Sequence, residues 1–142
     1  MSNQRYVARK AQEDEVQLIR KLANQNRYFL GQLLPLWIHK SIQDNELDVV
    51  CDTGGSIVGF IQYHKRRDGW TTIYKVCVAE EHRRIGLATA LIQGATKGPA
   101  SLRCSSKNPA IKLYKKLGFK IQRGKNKLSK NGHKIYYLAR AK

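Results

Sequence analysis

The stretch VCVAEEHRRIGLATALI, residues 76–92, decides how this chain is read. It opens as a strand-like run ending at Val78, passes two acids and two arginines, then continues in small and apolar residues at helical spacing. A strand, a short turn and a helix beginning near Gly86 leave the first amides of that helix without intrahelical acceptors. Those donors and the helix dipole favour an anion, and the lack of bulk at Gly86 and Ala88 lets it approach the backbone. Arg83 and Arg84 bring positive charge to the same turn, and Thr89 brings a hydroxyl. Neither GxxxxGK[ST] nor GxGxxG is present, so the P-loop and dinucleotide fingerprints are excluded.

On the N-terminal side of this junction, RYVARKA (5–11) alternates as a strand does. EDEVQLIRKLANQN (13–26) carries Val16, Leu18, Ile19, Leu22 and Ala23 at helical spacing, with acids in the first turn where the dipole favours them. LPLWIHKSIQ (34–43) predicts a second helix starting at Pro35. Residues 47–79 read as three strands, with hairpin turns at Gly54-Gly55 and at RRDG (66–69). On the C-terminal side come a helix over 86–96, ending near Gly94 or Gly98, and a strand ASLRCSS (100–106). Then follows a helix NPAIKLYKKLG (108–118) with Asn108 as N-cap, Pro109 at N1 and Gly118 at C′. FKIQR (119–123) and KIYYLAR (134–140) close the chain as strands. The order β-α-α-β-β-β-α-β-α-β-β predicts a single α/β domain over 1–142. Its mixed sheet is mostly antiparallel, with a crossover helix making the fourth and fifth strands parallel.

Composition narrows the partners. The net charge is +17, and every one of the ten acids lies in residues 1–81, where 11 bases leave a net +1. Residues 82–142 hold the other 16 bases and no acid. That half either solvates the fold or meets an anionic partner such as nucleic acid, a ribosome or a polyanionic cofactor. Cys51, Cys77 and Cys104 form no CxxC, and His39, His64, His82 and His133 form no ligand pair, so no metal site is expected. The N-terminus has no signal-peptide pattern, and the apolar run 28–38 is short and broken by Pro35, which points to the cytoplasm.

RRIGLA (83–88) resembles the R/Q-x-x-G-x-G/A pyrophosphate loop of the GCN5-related N-acetyltransferases, and NPAIKLYKKLGF (108–119) is similar to that family's second signature. Both lie in the family's order across one strand, so the resemblance covers nearly the whole chain. It implies acetyl-CoA as cofactor, held between splayed fourth and fifth strands. Backbone groups of Val76 and Val78 would pair with the pantetheine arm, and an amide near Cys77 would polarise the thioester carbonyl. The backbone of Arg84, Ile85, Gly86, Leu87, Ala88 and Thr89 would hold the pyrophosphate, with Arg83 alongside. Tyr114 would be the general acid that protonates the departing thiolate, and Asn108 would contact the cofactor or cap its helix. Arg84 and Ala88 stand where many members have glycines.

Several residues invite other readings. Cys77 has no base placed to activate it and reads as a buried structural thiol, while Glu80 and Glu81 read as solvent-facing. A general base for the acceptor amine is open among His64, Tyr63, Tyr136 and Tyr137. The acceptor would enter between 29–40 and 123–134, the second strongly basic. The expected function is acetyl transfer to a primary amine on an anionic macromolecule, protein or ribonucleoprotein. The alternatives are an acyltransferase that modifies a nucleic-acid base or a charged tRNA, and a nucleic-acid-binding module with little catalysis.

Overall fold

The computed structural model describes residues 5–25, 34–123, 127–128 and 134–141. Strand β1 (Val7–Lys10) leads into a 3-10 turn, Glu13–Glu15, and then helix α1 (Val16–Asn24). The acids of the expected first turn form this separate 3-10 turn, because the Glu15 carboxylate accepts from the Gln12 amide at 2.8 Å and binds Arg9 through both oxygens. Helix α2 (Pro35–Gln43) starts at its proline, whose fixed φ suits the first helical position. Strands β2 (Leu47–Cys51), β3 (Ile57–Lys65) and β4 (Thr71–Val78) form the meander, with Gly55 and Gly69 at positive φ in its two turns. Helix α3 (Leu87–Ala95), β5 (Ala100–Ser105), α4 (Ile111–Lys116), β6 (Lys120–Ile121), β7 (Lys127–Leu128) and β8 (Lys134–Arg140) complete the order.

The strands form a single sheet in the order β1-β2-β3-β4-β5-β8-β6, with β7 also on β8. Among the described strands, only β4 and β5 run parallel, joined by α3 as the crossover. The strand expected over 119–123 is shorter than predicted. Gln122 still donates to the Tyr137 carbonyl at 2.8 Å, but β7 meets β8 in a register shifted from that of β6.

Because strand side chains alternate, the sheet has two apolar faces. Val58, Ile61, Ile73, Val78, Leu102 and Leu138 pack with Leu87, Leu91, Ile92 of α3 and Tyr114 of α4. Val49, Phe60 and Cys77 pack on the other face with Ile19 and Leu22 of α1 and Ile38 of α2. Val76 belongs with the first set, so Lys75, like Cys77, projects on the α1/α2 face. By the same alternation from Leu102 and Cys104, Arg103 projects there too.

Candidate functional site

Strand β4 has unequal neighbours. Against β3 it keeps seven registered pairs, from Gly59↔Val78 to Lys65↔Thr71. Against β5 it keeps three, the last being Ile73↔Leu102. The strands part where β4 carries a bulge: Gln62 faces Lys75 and Tyr63 faces Ile73, so Tyr74 has no counterpart. A bulge bends its strand and re-aims the residues beyond it, which opens a gap along 74–78.

The ladder decides which backbone groups look into that gap. Ala79 donates to the Val58 carbonyl at 2.7 Å, and in an antiparallel pair the bonded residues alternate. Cys77 and Lys75 are therefore the residues bonded to β3, while Val76 and Val78 turn their amides toward the departed β5, as does the Val76 carbonyl; the Val78 carbonyl accepts from Arg83. Val76 and Val78 are the residues expected to pair with a pantetheine arm, and an amide near Cys77 that faces the gap is not that of Cys77 itself. The Cys77 amide is committed to β3, and the donors aimed at the gap flank it. Its thiol is buried, makes a long contact with the Leu22 carbonyl at 3.9 Å, and is pushed up to about 12 by loss of solvation. A nucleophilic role has no support.

Below the gap, the turn into α3 has Arg84 at φ 67° and Gly86, its N-cap, at φ 87°. The first helical bond runs from Ala90 to the Gly86 carbonyl at 3.0 Å. Among the described residues, no amide from 84 to 89 finds an acceptor in the protein. Gly86 is needed for its conformation: a Cβ there would meet nothing within 4 Å, but its φ is one that side-chain-bearing residues rarely adopt. These amides form a cradle for an anion at the positive end of the helix dipole. Ile85 and Arg84 are exposed, Leu87 is buried in the core, and Ala88 and Thr89 lie half-buried on the first turn.

Arg83 also has a structural part besides its charge. Its Nε donates to the Val78 carbonyl at 2.9 Å, so it ties the turn back to the end of β4. A second tie has no signal in the sequence: the Tyr6 hydroxyl meets His82 Nδ1 at 2.9 Å, with the rings edge to face. Two isolated aromatic residues 76 positions apart carry no local mark of such a contact.

Tyr114 lies on α4 in the same apolar cluster as Val78, Leu87 and Leu102. Its position is set by the helix end. Gly118 at φ 95° donates to Lys115 and Phe119 donates to Tyr114, the two bonds of a Schellman motif. The apolar contact that accompanies this motif is Tyr114 against Phe119, edge to face at 5.8 Å between ring centroids. Loss of solvation, with the nearby Cys104 thiol, raises the Tyr114 phenol far above its ordinary value, so it stays protonated. Among the described residues its hydroxyl has no hydrogen-bond partner.

Asn108 is not the N-cap. Its Oδ1 accepts from the Ala110 amide at 2.9 Å and its carbonyl from Ile111 at 3.2 Å, closing a turn before α4 starts with Ala110 as cap. That carbonyl oxygen is committed to its own chain. Of the four base candidates, Tyr63 is buried with its hydroxyl between Lys10 and Asp48, and His64 pairs with Glu46. Both sit beyond the bulge from the gap. Tyr136 and Tyr137 lie on β8 opposite Cys104 and Arg103, and Arg103 stacks over Tyr137 at 4.8 Å. On β4 itself, burial lowers the Lys75 ammonium below its usual range. Glu80 and Glu81 are exposed in the turn after β4, as expected. Most of the two expected acceptor walls lies outside the described residues.

Residues 44–121 match the family described as the acetyltransferase (GNAT) domain, more than half of the chain. The chain belongs to the GNAT family. Membership carries acetyl-CoA as cosubstrate and N-acetyl transfer as the reaction class. A curated N-alpha-acetyltransferase from Sulfurisphaera tokodaii is 29% identical over 110 residues, which is 63% of this chain and 66% of that relative. The match thus spans just under two thirds of the relative's length. Among solved structures, Ard1 from Thermoplasma volcanium superposes with a TM-score of 0.81 at 21% identity, over 96% of this GNAT chain and 97% of the other. The NatC complex bound to Gag peptide and CoA gives 0.80 at 17% identity, over 96% and 98%. At these identities the superpositions establish the fold.

Proposed function

We propose that this GNAT chain transfers the acetyl group of acetyl-CoA to the α-amine of a protein N-terminus. The observation that carries the donor half is the open edge of β4 beside the unpaired amides of 84–89. The pyrophosphate rests on those amides, and the pantetheine extends β4 at Val76 and Val78 as a strand partner in place of β5. An amide beside Cys77 donates to the thioester oxygen as negative charge develops there. The neutral amine attacks the carbonyl carbon, the C–S bond breaks, and the thiolate takes the Tyr114 proton. The attacking nitrogen releases its own proton to solvent.

The acceptor half follows from the location of the carboxylates. Each Asp and Glu lies within residues 13–81, and none is on 74–78, β5 or β8. At about pH 7.4 roughly a quarter of α-amines are already neutral, against about one lysine amine in a thousand. A site without a carboxylate base suits the first. The N-alpha-acetyltransferase relative supports the same choice.

The test is acetylation of peptides that carry both a free N-terminus and an internal lysine, with the product located by tandem mass spectrometry. Acetyl on the α-nitrogen is expected. Acetyl on lysine, or transfer only to a nucleic-acid amine, would overturn the reading.

A further inference from the structure

The two edges of the sheet handle charge in opposite ways. At the β1 edge, Arg9 binds Glu15 at 2.6 Å and Lys10 binds Asp48 at 2.8 Å. The other ion pairs among the described residues are His39–Glu13, Lys40–Asp44, His64–Glu46 and Arg66–Asp68. All of them fall within residues 9–68. At the far edge, Lys107, Lys112, Lys115, Lys116, Lys120 and Arg123 are exposed along α4, the edge strand β6 and the turns flanking them, and none pairs with a carboxylate. Lys112, Lys115 and Lys116 are spaced i, i+3, i+4, so they share one side of their helix.

A single lysine on an edge strand is enough to discourage edge-to-edge pairing. Six uncompensated bases within residues 107–123 repel one another and go beyond that need. We infer that this corner, α4 with β6, is a docking surface for the phosphodiester backbone of a nucleic acid. The side chains select among polyanions. The exposed large apolar residues are Val7, Leu18, Leu34, Leu36, Trp37, Tyr74 and Ile85, and none lies in 107–123, so nothing there inserts into a lipid surface. Within 107–123 the aromatic residues, Tyr114 and Phe119, are buried and none is exposed for base stacking, so the contact is to phosphates and tolerant of sequence. Duplex nucleic acid carries a charge about every 1.7 Å of axis, a density that matches clustered lysines better than a folded acidic protein does.

The experiment is fluorescence anisotropy of the full chain with a labelled RNA hairpin and with a DNA duplex, from about 50 to 200 mM salt, with saturating acetyl-CoA present. Binding is expected, with log K falling linearly in log salt at a slope of about −4 to −5.5 for six phosphate contacts. Comparing the RNA and DNA arms shows which duplex geometry fits. The triple substitution Lys112→Gln, Lys115→Gln, Lys116→Gln should make the slope shallower by about 2 to 3, while Lys21→Gln with Lys40→Gln leaves it unchanged. Lys107→Gln with Lys120→Gln, tested separately, should make it shallower by about 1.5 to 2. The inference is overturned by absence of binding at low salt or by equal affinity for poly-glutamate. It is equally overturned by an unchanged slope in both substituted proteins, or by displacement of RNA when acetyl-CoA saturates the cradle at 84–89.

Discussion

The two sides of β4 differ more than any other pair of neighbours in the sheet. Toward β3 the strand is closed, zipped over its length and locked by Gly59, whose missing side chain lets Cys77 and Val50 come close. Toward β5 it is closed for three residues and then open, with the Val76 and Val78 backbone facing a gap. The same eight residues thus serve as a structural strand on one edge and a binding edge on the other. The difference teaches that the site is made of withheld hydrogen bonds, and that the closed side must be rigid for the open side to stay open.

Breaking the closed side should have the largest effect. A Cβ on Gly59 would lie 2.9 Å from the Cys77 carbonyl oxygen and 2.9 Å from Val50 Cγ1, so Gly59→Leu should destabilise the fold by about 3 kcal/mol or more in a urea melt. A midpoint like that of the unaltered chain would show that the ladder tolerates separation. On the open side, Tyr114→Phe should lower turnover about a hundredfold with acetyl-CoA affinity retained. Turnover left intact would remove the phenol from the reaction.

The cradle supplies a smaller effect. Gly86→Ala meets no atom, so its cost is the strain of a positive φ, about 1–2 kcal/mol, and relaxing the turn should cost about tenfold in acetyl-CoA affinity measured by calorimetry. An unchanged affinity would detach this turn from the donor. The smallest effect belongs to Cys77, between the two sides. Because its thiol is pushed up to about 12, alkylation at pH 8 should be undetectable until the protein is unfolded, and Cys77→Ala should stay within about twofold of normal turnover. Rapid labelling of the native protein would show that this face opens.

pH sharpens the comparison without any substitution. A phenol whose value is raised stays in its acid form as pH rises, so Tyr114 imposes no alkaline loss of rate below about pH 10. The rate should climb with a midpoint at about pH 8 as the acceptor α-amine is deprotonated, then level off by about pH 9. A fall in rate above about pH 8, with the fold intact by circular dichroism, would assign the proton to another group.

Most elements are legible in the sequence because their signals are local. Pro35 marks the start of α2, the glycine turns mark the meander, and Gly118 marks the Schellman end that seats Tyr114. The cradle is legible for the same reason, since a turn followed by a helix is written in neighbouring residues. The start of α4 is not, because an asparagine side chain can close a turn as readily as cap a helix, and Asn108 does the first. Nor is the role of Arg83, because its carbonyl partner belongs to the preceding strand end.

The sequence alone determined the strand and helix order apart from the two-residue β7, the separation of charge between the two halves, and the family through its two signatures 20 residues apart. Those features rest on spacing, turn chemistry and composition, which need no distant partner. Only the tertiary structure decided that β4 parts from β5 at Tyr74, which amides are left facing the gap, and that Lys75 and Arg103 share the α1/α2 face. A backbone group is free or paired according to which strand lies beside it. In this chain the strands beside β4 come from residues 57–65 and 100–105, whose meeting no local pattern records.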